Sequence, residues 1–209
     1  MSRPVAVRSR AFFWKRLHGL TGVVPVGAFV VFHLWANARS LRGPAVFDAE
    51  VARLEATPFL FAIEMLLIVL PLAFHGLYGL WLALQADQNV LRYGYFRNWM
   101  FYLQRASGVV ALVFIGYHYW AFRLANWLYG RPITYATVAS DLRQPVIFAV
   151  YAIGVLAVAF HLANGLWNFA VDWGLAVGPR AREQLTYAMA VVFVVVSAMG
   201  LGAMIGFVR

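Results

Sequence analysis

The chain has 209 residues, of which 63% are hydrophobic and 12% charged, and its mean hydropathy of +0.73 leaves too little polar surface to coat a soluble globule. That excludes a soluble enzyme and a disordered chain and puts the protein in a bilayer. The net charge of +9 comes from basic residues at the ends of apolar runs, which reads as topology signalling and not as a nucleic-acid footprint, and the absence of cysteine excludes disulfides, iron–sulfur clusters and thioether-linked haem on this chain.

Uncharged runs occupy residues 17–38, 65–86, 106–122, 144–171 and 184–208, and about 20 apolar residues suffice to cross the hydrocarbon. The first run is too long for a cleavable signal and lacks a small-residue cleavage motif, so it is expected to be a retained helix, 17–38. The second starts early, because Thr57-Pro58 is a good helix start and Phe59 to Ile63 are apolar, giving 58–86 with Glu64 inside the membrane. The third reaches back to Trp99, with Arg105 snorkelling toward the headgroups, giving 99–123. Helices over 144–171 and 184–208 complete the set.

These elements predict an all-α membrane protein, one transmembrane domain over 1–209, with five helices in an up-and-down bundle. Arg3, Arg8, Arg10, Lys15 and Arg16 precede the first helix, Arg92, Arg97 and Arg105 belong to the start of the third, and Arg180 and Arg182 precede the fifth. The opposite side holds Arg39, Arg42, Arg53, Arg123, Arg131, Arg143 and Arg209, so the positive-inside rule puts the N-terminus in the cytoplasm. Trp14, Trp35, Trp99, Trp120, Trp127 and Trp173 read as interfacial belts. The short loops leave no room for a soluble catalytic domain, so chemistry on a soluble substrate needs another chain.

Four of the five histidines, His33, His75, His118 and His161, fall one each on the first four helices, at spacings of 42, 43 and 43. Successive helices run in opposite directions, so this spacing makes depth alternate. His33 and His118 lie six and five residues before Arg39 and Arg123, roughly 8 Å below that edge. His75 and His161 come 17 and 18 residues after Pro58 and Arg143, roughly 26 Å below the same edge. Two imidazole pairs at two levels suit two haems, because haem iron keeps two axial positions and two histidines fill both. Gly76, Gly79, Gly116 and Gly165 lie near the ligands and would let a flat macrocycle approach the backbone. A lone intramembrane histidine can equally cap a kink or bond a neighbouring helix. Four at matched depths favour ligation, and two imidazoles per level with no carboxylate disfavour a non-haem metal. His18, with no partner expected at its depth, reads as an interfacial residue, with haem-propionate or quinone contact as the sharper alternative.

The residues Arg16-Leu17-His18-Gly19-Leu20-Thr21-Gly22, Arg97-Asn98-Trp99-Met100-Phe101 with Gln104-Arg105, and Phe160-His161 with Asn164-Gly165-Leu166-Trp167 resemble the five-helix, two-haem cytochrome b subunit of succinate dehydrogenase and its fumarate reductase relatives. The resemblance runs nearly full length. It implies two haems b, with His33 and His118 on the outer iron and His75 and His161 on the inner. It also implies flavoprotein and iron–sulfur subunits on the cytoplasmic face, which carry the succinate site, and a membrane quinone, menaquinone favoured. The setting implied is the cytoplasmic membrane of a prokaryote, in a multi-pass chain.

Glu64 precedes His75 by 11 residues, which on a regular helix is a rotation of only about 20°. It is therefore expected to face the interior near the outer level, as a carrier of protons for a quinone or as a hydrogen-bonded structural acid. Three rivals remain: the cytochrome b anchor of a hydrogenase or formate dehydrogenase, a transporter with a histidine relay, and a purely structural anchor, which would leave four buried imidazoles without a job. The second would want broken helices or inverted repeats, of which the sequence shows no symmetry.

Overall fold

The computed structural model describes residues 5–209, with side chains from residue 10 onward. Arg3 and the Arg8 side chain, both counted above as topology signals, lie outside the described residues. Five helices are long and apolar enough to cross a membrane: α1 (Arg10–Arg42), α3 (Leu60–Leu84), α4 (Phe96–Tyr129), α6 (Pro145–Asp172) and α7 (Pro179–Val208). Two shorter helices, α2 (Pro44–Glu55) and α5 (Tyr135–Leu142), lie at the end of the bundle opposite the start of α1. No strand occurs among the described residues.

Several helix starts differ from those expected. The first helix is already formed at Arg10 and not only from residue 17, and the second starts at Leu60 and not Pro58, because Phe59 takes a left-handed φ of 57°. The third starts at Phe96 and not Trp99, and the fifth at Pro179 and not residue 184. Two C-terminal ends are displaced for visible reasons. The first helix runs on to Arg42 because its last turn tightens to a 3₁₀ turn, Ala38–Arg42, and Gly43 then takes a φ of +97°, which suits a residue without a Cβ. The third helix was expected to stop at Arg123 but continues to Tyr129, because the Arg123 charge is neutralised inside the bundle instead of reaching the headgroups. The Arg105 guanidinium folds back one turn toward the start of α4, donating to Phe101 O at 2.8 Å.

The spans are not uniform helices. Wider π turns occupy Gly22–Gly27, Met65–Val69 and Trp120–Leu124. The first contains Pro25 and the second ends two residues before Pro71, so each accommodates a proline that cannot donate to the preceding turn. The third contains Arg123 and has no proline.

The best-packed region lies at the α2/α5 end, where Phe47, Phe122, Val138, Leu142, Tyr151, Met204 and Phe207 form one buried cluster. Short residues let α7 close on the 3₁₀ turn: Ser40 Oγ donates to Ala203 O at 2.8 Å, and a Cβ on Gly206 would lie 2.8 Å from Leu41 N. α5 starts with a capping box between Thr134 and Thr137, and its Tyr135 N–H donates to Asp48 of α2 at 2.7 Å. Arg131 grips Asp141 through two bonds of 2.9 and 2.8 Å, pinning the α4–α5 loop. At the other end Arg97 of α4 donates to Thr186 of α7 and stacks 3.7 Å over Trp167 of α6. These two fastened ends hold the middle of the bundle, where the histidines sit.

Candidate functional site

Each predicted histidine pair meets across the bundle. His33 of α1 faces His118 of α4 with ring centroids 5.6 Å apart and planes at 80°. His75 of α3 faces His161 of α6 at 6.0 Å and 81°. A metal bridging two imidazoles through bonds of about 2 Å requires centroids about 6 Å apart, so both pairs have the span of a bis-histidine axial site. Among the described residues no group of three or more His, Cys, Asp or Glu side chains is placed to hold a metal ion. The donor set therefore fits a macrocycle that brings its own four equatorial nitrogens better than a bare ion.

The second contacts of the histidines bear on which nitrogen is free. His75 Nδ1 donates to His18 O at 2.9 Å, and His161 Nδ1 donates to Gln104 O at 3.0 Å. A carbonyl can only accept, so His75 carries its proton on Nδ1 and keeps the Nε2 lone pair free; His161 Nδ1 lies between the Gln104 carbonyl and, at 3.2 Å, the Gln104 side-chain amide nitrogen. Gln104 also donates to His161 O at 3.1 Å and accepts from Asn164 at 2.7 Å. His118 Nδ1 lies 3.2 Å from the hydroxyl of Tyr151, which is buried. His33 differs: Asn37 donates to its Nε2 at 3.3 Å and to its carbonyl at 2.8 Å, so iron ligation through Nε2 requires the amide to release it.

Close approaches of glycine occur at the rings, though not at all the glycines expected. A Cβ on Gly22 would lie 2.6 Å from His75 Nδ1, and one on Gly108 would lie 2.7 Å from His161 Cε1. Of those expected, Gly79 underlies His18 and Gly165 underlies Gln104, Gly76 meets Leu112 at 2.8 Å, and Gly116 has nothing within 4 Å. Nor is His18 solitary: its ring stacks on His75 with centroids 4.2 Å apart and planes 3° from parallel.

Glu64 sits in a bidentate ion pair with Arg123 of α4, at 3.0 Å to Nε and 2.5 Å to Nη2. The small rotation expected between Glu64 and His75 assumes an unbroken helix. The π turn Met65–Val69 lies between them and shifts their relative facing by about one residue, or about 100°. In the sequence Arg123 reads only as a topology marker and Gln104 and Asn164 only as positions of the family resemblance, with no role at the site, and Tyr151 does not stand out at all.

Residues 83–201 match the succinate dehydrogenase/fumarate reductase transmembrane subunit family. Over 200 residues, 96% of this chain and 98% of the other, the sequence is 40% identical to the succinate dehydrogenase cytochrome b558 subunit of Bacillus subtilis (strain 168). The chain belongs to this transmembrane subunit family. As a member it is a multi-pass membrane subunit of an oxidoreductase complex. The family match begins at Ala83, near the end of α3, so it covers His118 and His161. The alignment with the Bacillus subtilis subunit extends over nearly the whole chain.

Proposed function

We propose that this chain is the membrane-anchor cytochrome b subunit of a succinate:quinone oxidoreductase, binding two bis-histidine haems b and passing electrons between an iron–sulfur partner and a membrane quinone, menaquinone favoured. The reading is carried by the meeting of four intramembrane histidines in two cross-bundle pairs, at 5.6 and 6.0 Å. It is supported by nearly full-length similarity to a succinate dehydrogenase cytochrome b558 subunit. A haem held by such a histidine pair would supply a one-electron iron couple suited to electron transfer and not to oxygen or substrate binding.

The chain's own residues hold and orient. His33 and His118 hold the outer group, and His75 and His161 hold the inner. The main-chain carbonyl of His18 keeps His75 in the tautomer that presents Nε2, and the main chain and side chain of Gln104 orient the His161 ring through its Nδ1. At the N-terminal end, taken as cytoplasmic by the positive-inside rule, Arg16, Arg92, Arg97 and Arg105 offer a basic surface to the flavoprotein and iron–sulfur subunits. The succinate site is on those partners, and the whole assembly sits on the cytoplasmic membrane of a prokaryote.

Glu64 is assigned the proton at an outer quinone site. Its carboxylate is held by Arg123, so taking up a proton weakens the pair, and proton uptake and release of the guanidinium are one event. The deciding experiment is a reduced-minus-oxidised spectrum of the purified complex with a haem-to-protein ratio, together with identification of the co-purifying chains and quinone. Two haems b per chain with a flavoprotein and an iron–sulfur protein are expected. Fewer than two haems, or a hydrogenase or formate dehydrogenase partner, overturns the assignment.

A further inference from the structure

His18 is the one histidine the axial pairs leave unused, and its surroundings are specific. Its ring lies parallel to the His75 ring, 3° apart in plane and 4.2 Å between centroids, while its main-chain oxygen accepts the His75 Nδ1 proton at 2.9 Å. Its own Nε2 is buried and has no hydrogen-bond partner among the described residues. That atom lies over Gly79, where a Cβ would stand 2.8 Å from it. Gly79 is four residues after His75 on α3, one helical turn nearer the N-terminal end and on nearly the same face. A ring nitrogen is thus held beside the inner ligand, displaced toward the membrane surface, with its hydrogen-bonding capacity unspent.

Buried polar atoms in native proteins find partners, and haem carries two carboxylates on one rim that need donors when they lie in an apolar interior. A neutral imidazole supplies an N–H without bringing a charge into the membrane. A quinone oxygen could use the same donor, but it would have to arrive from the lipid, whereas His18 Nε2 is buried. We propose that His18 is part of the inner haem pocket and donates from Nε2 to a carboxylate of that haem. The proposal rests on the two-haem reading, and failure of that reading would already show in the wild-type protein as fewer than two haems per chain.

The test uses the purified complex carrying His18→Phe, which keeps a flat ring against His75 and removes the donor, and His18→Gln, which keeps a donor. Haem content is measured first and both couples are then titrated optically. In His18→Phe one couple is expected to move to lower potential, because a carboxylate left with its full charge favours ferric iron, while the other couple stays in place. His18→Gln is expected to lie near wild type. Loss of one haem in His18→Phe with retention in His18→Gln gives the same answer. The proposal is overturned if His18→Phe titrates as wild type while His18→Gln shifts, which would assign the effect to stacking, if both titrate as wild type, or if both variants shift or lose haem alike, which would mean that a retained donor does not rescue the site. It is equally overturned if His18→Phe slows quinone reduction with both couples unmoved, which would place a quinone there.

Discussion

Glu64 and Arg123 show how little a single charge reveals about its place until its partner is known. Both side chains are largely shielded, at 19% and 18% exposure, and removing one partner of such a pair leaves the other charge uncompensated, at a cost of about 3 kcal/mol or more when fully buried. Glu64→Gln is therefore expected to lower thermal stability, retain both haems and abolish quinone turnover. Glu64→Gln combined with Arg123→Gln is expected to recover the stability and not the turnover; turnover restored in the double variant would reduce Glu64 to a structural acid. The four histidines were legible because ionisable residues stand out in apolar runs. Arg123 was misread because, along one dimension, an arginine near the end of a span looks like its boundary. The roles of Gln104, Asn164 and Tyr151 are not legible in the sequence because neutral polar residues do not interrupt an apolar run, and their contacts lie 57, 60 and 33 residues away in the chain.

At the scale of elements, the helices and their order could be read from hydropathy, but their local irregularity could not. Periodicity assumes 3.6 residues per turn, and three π turns break that assumption beside the residues of interest. The short helices α2 and α5 were read as loops because they carry charges and are too brief to span. Glycines near the ligands were expected to admit a macrocycle, yet several of the tight contacts are with imidazole rings. Gly22→Ala and Gly108→Ala would drive a methyl group into the His75 and His161 rings, at 2.6 and 2.7 Å. Each is expected to cost about 1–3 kcal/mol and to lower occupancy of the inner haem alone in a haem-to-protein assay. Gly116→Ala, with nothing within 4 Å, is the matched control and should leave both haems in place. Equal loss in all three variants would mean that helix propensity, and not the approach to the rings, sets the effect.

For the whole molecule, the structure sharpens the charge asymmetry. By sequence ten of the 17 basic residues fall on the N-terminal side; of the seven on the other side, Arg53, Arg123 and Arg131 are paired with Glu50, Glu64 and Asp141. The expected topology has the N-terminus in the cytoplasm and, after five spans, the C-terminus outside. A phosphatase reporter that folds only outside the cytoplasm should be active when fused after Arg209 and silent at the N-terminus; the reverse pattern would invert the assignment and move the soluble partners to the α2/α5 end. The bundle's closed end, with Ser40, Tyr135 and α7 locked together, was not visible in composition, because small residues at a helix crossing look like ordinary apolar sequence.

The swollen turn in α3 leaves no slack in that helix. Glu64 on one side of it reaches α4, and His75 on the other reaches α1. Deleting any one residue from 65–69 would let the coil wind regularly again and swing one anchor away from its partner by about 100°. The count of residues there matters as much as their kinds, and a relative with a one-residue gap between these positions would have surrendered one of the two attachments.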